Sequence, residues 1–325
     1  MKNVAVVGAS GVVAAMLFVP VILHEAAERR DPVAETVQKP PTVLFVGDIM
    51  LDRSVARNLR MVGEDKVFEG VRDIFAEHTL VVGNLEGTIT NNVSVAEASS
   101  TILRFTFAPA LAETLAEAGF GLVSLANNHA LDFGEFGFDD TLHYLGEVGI
   151  TAFGSPHNDR KLATKTVVGG QALCFVGYHE LFYRNPSSVA EKITEIEPEC
   201  EKTILFAHWG EEYEHEPSAS QRELAHLFVD SGVDLVIGAH PHVVQPVEIY
   251  NKVAIFYSLG NFVFDQRWRP EVRRGVMVSV EFGEETTFNV IPVNTYLEAT
   301  LADTEVSQAV LTDLGLVNSS FVVEN

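Results

Sequence analysis

Cysteine is nearly absent: Cys174 and Cys200 are the two in 325 residues. Neither has the spacing of a thiolate metal site. Cys174 lies inside the apolar run Ala172-Leu173-Cys174-Phe175-Val176 and reads as a small core residue, whereas Cys200 stands in an acidic, exposed-looking stretch. A disulfide between them is the disfavoured expectation. Basic charge is also scarce, with 22 Lys+Arg against 45 Asp+Glu and a net charge of −23. Residues 1–40 hold four of each sign, so the remainder has 18 against 41. Such a surface repels nucleic acid and anionic headgroups, which excludes a nucleic-acid partner. A solubilising surface accounts for the excess more simply than a charge-selected partner. No internal repeat and no low-complexity segment occurs.

One stretch lacks charge altogether. Residues 4–23, mostly Val, Ala, Leu and Phe, are long enough for the roughly 20 residues of a membrane-spanning helix. Two readings compete: an uncleaved signal anchor, favoured by length, and a secretory signal peptide with Ala26-Ala27 in a poor cleavage site. The absence of a nearby cysteine excludes a lipoprotein anchor. Lys2 on one side and Arg29 and Arg30 on the other leave the orientation indecisive. Export of the larger part is the expectation: a single-pass protein of the cell membrane with an extracytoplasmic soluble domain. The chain then divides into a membrane segment (1–24), a linker (25–41), a domain (42–300) and a tail (301–325) with one weak helical pattern.

From residue 42 onward, short apolar runs alternate with helical patterns. Residues 109–119, 136–149 and 218–232 carry helical spacing with Pro or Gly punctuation, and each precedes a strand-like run. That alternation indicates β-α units and a largely parallel arrangement. Beyond residue 243 the runs 247–250, 254–258, 276–282 and 288–293 have no helix between them, which indicates antiparallel pairs. The fold class is therefore α/β, a layered sandwich with more than one sheet.

Five apolar runs end on polar residues. Val43-Leu44-Phe45-Val46 leads to Asp48, Leu80-Val81-Val82 to Glu86, and Leu122-Val123-Ser124-Leu125 to Asn128, His129 and Asp132. Ile204-Leu205-Phe206 leads to His208, and residues 233–237 to His240-Pro241-His242. Ligand sites in open α/β sheets lie outside strand carboxyl ends. Carboxylate, amide and imidazole converging there are what a metal site with oxygen and nitrogen ligands requires. Singly, each group has an ordinary reading: solvated loop histidines at 240 and 242, a satisfied structural histidine at 208, a cap at Asp48, turns at Glu86 and Asn128. Their shared placement weakens all of these readings together.

These motifs carry a resemblance. Gly47-Asp48-Ile49-Met50-Leu51, Asn84-Leu85-Glu86-Gly87, the run from Ala126 to Gly134 containing Asn127-Asn128-His129, His208-Trp209-Gly210-Glu211-Glu212-Tyr213, Gly238-Ala239-His240-Pro241-His242 and Tyr257-Ser258-Leu259-Gly260-Asn261-Phe262 resemble the CapA family. That family is named for capsule and poly-γ-glutamate synthesis and looks like a branch of the calcineurin-like metallophosphoesterases. The resemblance spans residues 42–265 and implies a four-layer α/β/β/α sandwich with a metal cleft at one edge of two central sheets. Carried over by position, Asp48 and His242 bind a first metal, Glu86 matches the bridging position, and Asn128, His208 and His240 bind a second. His129, oriented by Asp132, faces the substrate as acid or charge stabiliser. The implied cofactors are divalent metal ions, two of them, with Mn, Fe or Zn suited to such ligands.

Two departures stand out. Metallophosphoesterases usually carry Asp-x-His at the first strand, and here Asp48 is followed by Ile49-Met50. Their second motif usually supplies Asp after Gly, and here Gly83-Asn84 stands with Glu86 beyond it. His179, His215, Glu211 and Asp265 are nearby candidates for further ligands, each with an ordinary structural or solvated reading. The resemblance implies a role in cell-envelope polymer synthesis or export, either as a metal-dependent hydrolase or as a non-catalytic assembly component alongside other polymer-synthesis membrane proteins. A surface-anchored binding protein is a third reading.

Overall fold

The computed structural model describes residues 41–99, 101–182 and 185–324. The membrane segment expected at 1–24, and all but the last residue of the linker, lie outside these. Among the described residues no helix is long and apolar enough to cross a membrane.

The chain first lays down β1 (Thr42–Ile49), α1 (Arg53–Val62), α2 (Arg72–Ala76), β2 (Leu80–Leu85), the short β3 (Thr88–Ile89) and β4 (Thr106–Phe107), α3 (Ala110–Ala118), β5 (Phe120–Ser124), α4 (Gly134–Glu147) and β6 (Thr151–Phe153). A second sheet follows, from β7 (Ala163–Val168), β8 (Gln171–His179), α5 (Pro186–Ile196), β9 (Lys202–His208), α6 (Ala219–Asp230), β10 (Leu235–Ala239), β11 (Val244–Tyr250) and β12 (Val253–Leu259). The chain then returns to the first sheet through β13 (Asn261–Val263), β14 (Arg274–Phe282), β15 (Glu285–Asn294), β16 (Thr300–Leu301), α7 (Thr304–Leu314) and β17 (Ser320–Glu324).

The first sheet has nine strands along the order β16-β15-β14-β1-β2-β5-β6, with β13 on β1 and β17 on β15. The second has six, ordered β11-β12-β10-β9-β8-β7. In both, the central strands are parallel: β1 with β2, β2 with β5, β8 with β9, β9 with β10 and β10 with β12. The runs beyond residue 243 pair antiparallel as expected, β11 with β12 and β14 with β15, but they belong to different sheets.

Layering follows from the period of two along each strand. In β1, Val43 and Phe45 enter the core between the sheets, whereas Leu44 and Val46 enter an outer core shared with α1, α2, α3 and α4. In β9, Ile204 and Phe206 face the same inter-sheet core, and Leu205 and Ala207 pack under α5 and α6. Strands buried on both faces read as unbroken apolar runs, and two such sheets with helices outside each make four layers. Helix signals in the sequence are realised physically. Pro109 precedes α3 and Gly119 ends it at φ 112°, while Ser218 and Gln221 form a capping box on α6.

Two expectations are corrected. Residues 301–325 are not a tail. Val310 and Leu314 of α7 are buried in the inter-sheet core, and β17 pairs with β15, so the segment is part of the domain. Cys174 is not a free core residue: it is bonded to Cys200, with Cα atoms 5.8 Å apart. The bond ties β8 to the segment entering β9, which the parallel pairing of these strands brings together although 26 residues separate the two.

The sheets converge where β12 hands over to β13. Gly47 makes this close approach possible, because a Cβ there would lie 1.9 Å from the carbonyl oxygen of Gly260. Asp48 is thereby set in register with Asn261 on one side and Asn84 on the other.

Candidate metal centre

The expected site residues come from strand ends of both sheets and meet at one edge. Asp48 and Glu86 are fully buried, as is Asn84 between them in sequence, and His208, His240 and His242 are at most 3% exposed. One ligand atom each from Asp48, Glu86 and His208 lies within 4.8 Å of the other two, and the same holds for Glu212, His240 and His242. This grouping divides the donors differently from the positional carry-over, which joined Asp48 to His242 and His208 to His240.

A chain of side-chain amides holds the carboxylate of Asp48. Asn84 Nδ2 donates to Asp48 Oδ1 at 2.7 Å and lies 3.3 Å from His208 Nδ1. Asn84 Oδ1 accepts from Asn127 Nδ2 at 3.0 Å, and Asn127 Oδ1 accepts from the His129 amide at 3.0 Å. His208 Nε2 is 2.8 Å from Asn128 Oδ1. A tautomer with the proton on Nε2 satisfies both contacts of His208. His242 Nδ1 is 3.0 Å from Asn261 Oδ1 and 3.3 Å from Asp48 Oδ2, leaving Nε2 to face Glu86 Oε1 at 3.8 Å.

The loop carrying His240 and His242 is strained. Their φ angles are 95° and 58°, a region that side chains with a Cβ seldom occupy. It is pinned by the His240 amide donating to Asp48 Oδ2 at 3.2 Å and by the Tyr213 amide donating to the Pro241 carbonyl at 2.8 Å. Strain held in place this way is characteristic of ligand clamps.

His129 and Asp132 form a pair as expected from their spacing. His129 Nδ1 is 2.8 Å from Asp132 Oδ2, which also accepts from the Phe105 amide at 2.7 Å. The Phe105 ring lies 4.3 Å from the imidazole. His129 Nε2 is thereby aimed at Glu86 Oε1, 3.8 Å away.

Electrostatics test whether this set fits a cation. Both oxygens of Glu86 are buried without a hydrogen-bond partner, and burial, then the neighbouring Asp48, raise its pKa well above the ordinary value. A buried carboxylate with no donor is costly unless a cation lies beside it. Burial, then neighbouring histidines, push His208 and His240 well below the usual range, so both are neutral, with the ring nitrogens of His208 engaged by Asn84 and Asn128. Nδ1 of His240 is buried without a partner. At His242, burial alone lowers the pKa, but Glu86 and Asp48 outweigh it and raise the value to about 9. Orphaned carboxylate oxygens and an unpartnered imidazole nitrogen, in donor groups within 4.8 Å, are what a divalent ion takes, and the residues fit one.

The other candidates separate from the cluster. His179 is buried beside His208, its Nδ1 donating to the Pro156 carbonyl at 2.8 Å, and burial lowers its pKa to about 4. Asp265 is taken by Arg53 and the Ser54 amide. Glu211 and His215 are exposed. At the position where the resemblance expects an imidazole, Met50 is fully buried and its sulfur accepts from the Asp52 amide at 3.1 Å. Glu212 was missed in the sequence. It is one of two adjacent glutamates in an exposed turn, and nothing in the chain distinguishes it from Glu211.

Residues 42–266 match the family described as bacterial capsule synthesis protein PGA_cap. The chain belongs to this family. The PGA_cap match takes in every clustered residue and stops short of β14. Two relatives are similar over most of their length. The PGA biosynthesis protein CapA of Bacillus subtilis (strain 168) is 32% identical over 277 residues, covering 79% of this chain and 72% of that one. The capsule biosynthesis protein CapA of Bacillus anthracis is 29% identical over 306 residues, covering 86% and 74%. Among solved structures, a putative 5'-nucleotidase from Staphylococcus aureus in complex with alpha-ketoglutarate has a TM-score of 0.49 at 13% identity, covering 81% of this chain and 55% of that one.

Proposed function

We propose that this PGA_cap protein acts in capsule- or poly-γ-glutamate-type polymer synthesis or export, as a membrane-anchored extracytoplasmic protein whose cleft is a metal-dependent hydrolase of the metallophosphoesterase type. The polymer role is supported by the names its two Bacillus relatives carry. The extracytoplasmic placement is supported by the Cys174–Cys200 disulfide, since such bonds persist in oxidising compartments. The hydrolase reading is carried by one observation: the carboxylate of Glu86, buried with both oxygens unpartnered and aimed at imidazoles.

In this reading Asp48, Glu86, Asn128, His208, His240 and His242 hold divalent ions, and His129 works beside them. Divalent ions supply Lewis acidity at a phosphoryl or acyl oxygen and lower the pKa of water. The chain supplies position and proton transfer. Asp132 fixes the ring of His129 through Nδ1, so Nε2 is the atom that hands a proton to a leaving group or stabilises its charge. The amides of Asn84 and Asn127 keep the carboxylate of Asp48 and the backbone of His129 in place.

The test is metal analysis of the detergent-purified full chain together with hydrolysis of a generic phosphodiester. Bound divalent metal, with activity lost in His240→Ala, is the expected result. A chain that holds no metal, and whose activity His240→Ala leaves unchanged, refutes the hydrolase reading. A second reading, a non-catalytic assembly component of the polymer machinery, is favoured by Met50, whose buried side chain replaces an imidazole ligand. It predicts that envelope polymer is still made when His208 and His240 are both replaced.

A further inference from the structure

Met50 leaves the cleft one imidazole short on the first sheet, yet a donor stands on the opposite side. Glu212 lies in the turn after β9, four residues beyond His208. A carboxylate oxygen of Glu212 and one ring nitrogen each of His240 and His242 lie within 4.8 Å of one another. Backbone geometry holds them there: the Tyr213 amide donates to the Pro241 carbonyl at 2.8 Å, which fastens the Glu212 turn onto the histidine loop. An exposed glutamate near two histidines is an everyday arrangement. The imidazole of His240 makes it something else. That ring is 3% exposed, and its buried Nδ1 has no hydrogen-bond partner. A ring nitrogen left unpaired in the interior costs free energy unless a ligand meets it.

We infer that Glu212 is a metal ligand, completing with His240 and His242 a cation position at the mouth of the cleft that adjoins the fully buried donors Asp48, Glu86 and His208, His242 Nδ1 lying 3.3 Å from Asp48 Oδ2. This inference rests on the cleft being a metal site. The two positions differ in character. The inner one pairs two carboxylates with one imidazole, all buried, whereas the outer one pairs two imidazoles with a carboxylate open to solvent. The outer ion is therefore the more exchangeable of the two, and softer, nitrogen-preferring ions such as Zn favour it over Mn.

The experiment is a titration of the chelator-stripped, detergent-purified full chain with Zn²⁺ and with Mn²⁺, followed by calorimetry and by metal analysis after dialysis. Five proteins are compared: wild type, Glu212→Gln, Glu212→His, Glu211→Gln and His208→Ala. Glu212 is exposed, so its replacement leaves folding intact, and circular dichroism verifies this. The expected result is two classes of site in the wild type and in Glu211→Gln. In Glu212→Gln the weaker class loses at least about tenfold in affinity, the lower end of what removing even an outer partner of a ligand costs. Glu212→His, which puts a nitrogen donor in place of the carboxylate, retains that class. In His208→Ala the tighter class is the one lost. Unchanged binding in Glu212→Gln overturns the assignment while leaving the metal cleft intact. A wild type that binds neither ion removes the cleft reading, and this inference with it.

Discussion

Where the two sheets meet, the nine-stranded sheet presents mainly oxygen and the six-stranded sheet mainly nitrogen. β1 and β2 carry Asp48, Asn84 and Glu86 at their ends, and β9 and β10 lead into His208, His240 and His242. His129, beyond β5, is the exception on the oxygen side. The backbones differ as well. Asp48 and Asn84 sit within paired strands, whereas His240 and His242 are held at φ 95° and 58° in a loop. Neither half is comfortable alone. The oxygen side keeps a carboxylate without donors, and the nitrogen side keeps neutral imidazoles, one of them with a buried ring nitrogen unpartnered. Strain of this kind costs on the order of 1–3 kcal/mol per residue and is tolerated where function requires the geometry. A positive charge between the halves satisfies both, and the proton held on His242 partly does so.

Breaking the nitrogen side has the largest expected effect. His240→Ala removes a ring whose buried Nδ1 has no hydrogen bond, so the fold survives, while the weaker class of bound metal and phosphodiester hydrolysis both fall below detection. Asp132→Asn acts on the oxygen side but leaves the donors alone. It costs roughly 10²–10⁴ in kcat, the range for a positioned acid–base group, with metal content unchanged. That split between rate and metal content separates proton handling from cation binding.

Gly47→Ala attacks the seam between the sheets. Its Cβ would sit 1.9 Å from the Gly260 carbonyl oxygen, so stability falls by about 3 kcal/mol or more, the upper part of the overpacking range. Chemical denaturation reads this directly. Glu86→Gln is subtler, and its sign depends on the ion. Because burial and Asp48 raise the pKa of Glu86, the metal-free folded chain holds a proton that the unfolded chain releases above the ordinary value, about 4.3. Metal-free stability therefore declines as pH rises from there toward the raised folded pKa. Glu86→Gln flattens that slope and stabilises the metal-free chain at alkaline pH by about 1–3 kcal/mol, the usual penalty of an unsatisfied buried group. It weakens metal binding at the same time.

The legible parts of the molecule were those with a physical signature along the chain. Strands buried on both faces must be apolar throughout, so Val43-Leu44-Phe45-Val46 and Ile204-Leu205-Phe206 announced themselves, and the first polar residues after them were the ones carried to the sheet edge. Three features left no such signature. The Cys174–Cys200 bond depends on β8 lying beside β9, which is a matter of topology. Residues 301–325 looked weakly amphipathic because α7 buries few side chains, Val310 and Leu314 among them, and β17 is an exposed edge strand with Val323 as its buried residue. The Asn84–Asn127 amide chain holds the carboxylate of Asp48 through a contact 43 residues apart, and Asn-Asn read alone is a turn.

In the proposed reading, buried, unpartnered donors at the sheet edge hold divalent cations. Metal analysis of the full chain, purified without chelator, tests this. Divalent metal retained after dialysis in the wild type, with the tighter class lost from His208→Ala and the weaker class from His240→Ala, is the predicted result. A wild-type chain that comes through purification without metal and fails to take up Mn²⁺, Fe²⁺ or Zn²⁺ on titration contradicts it.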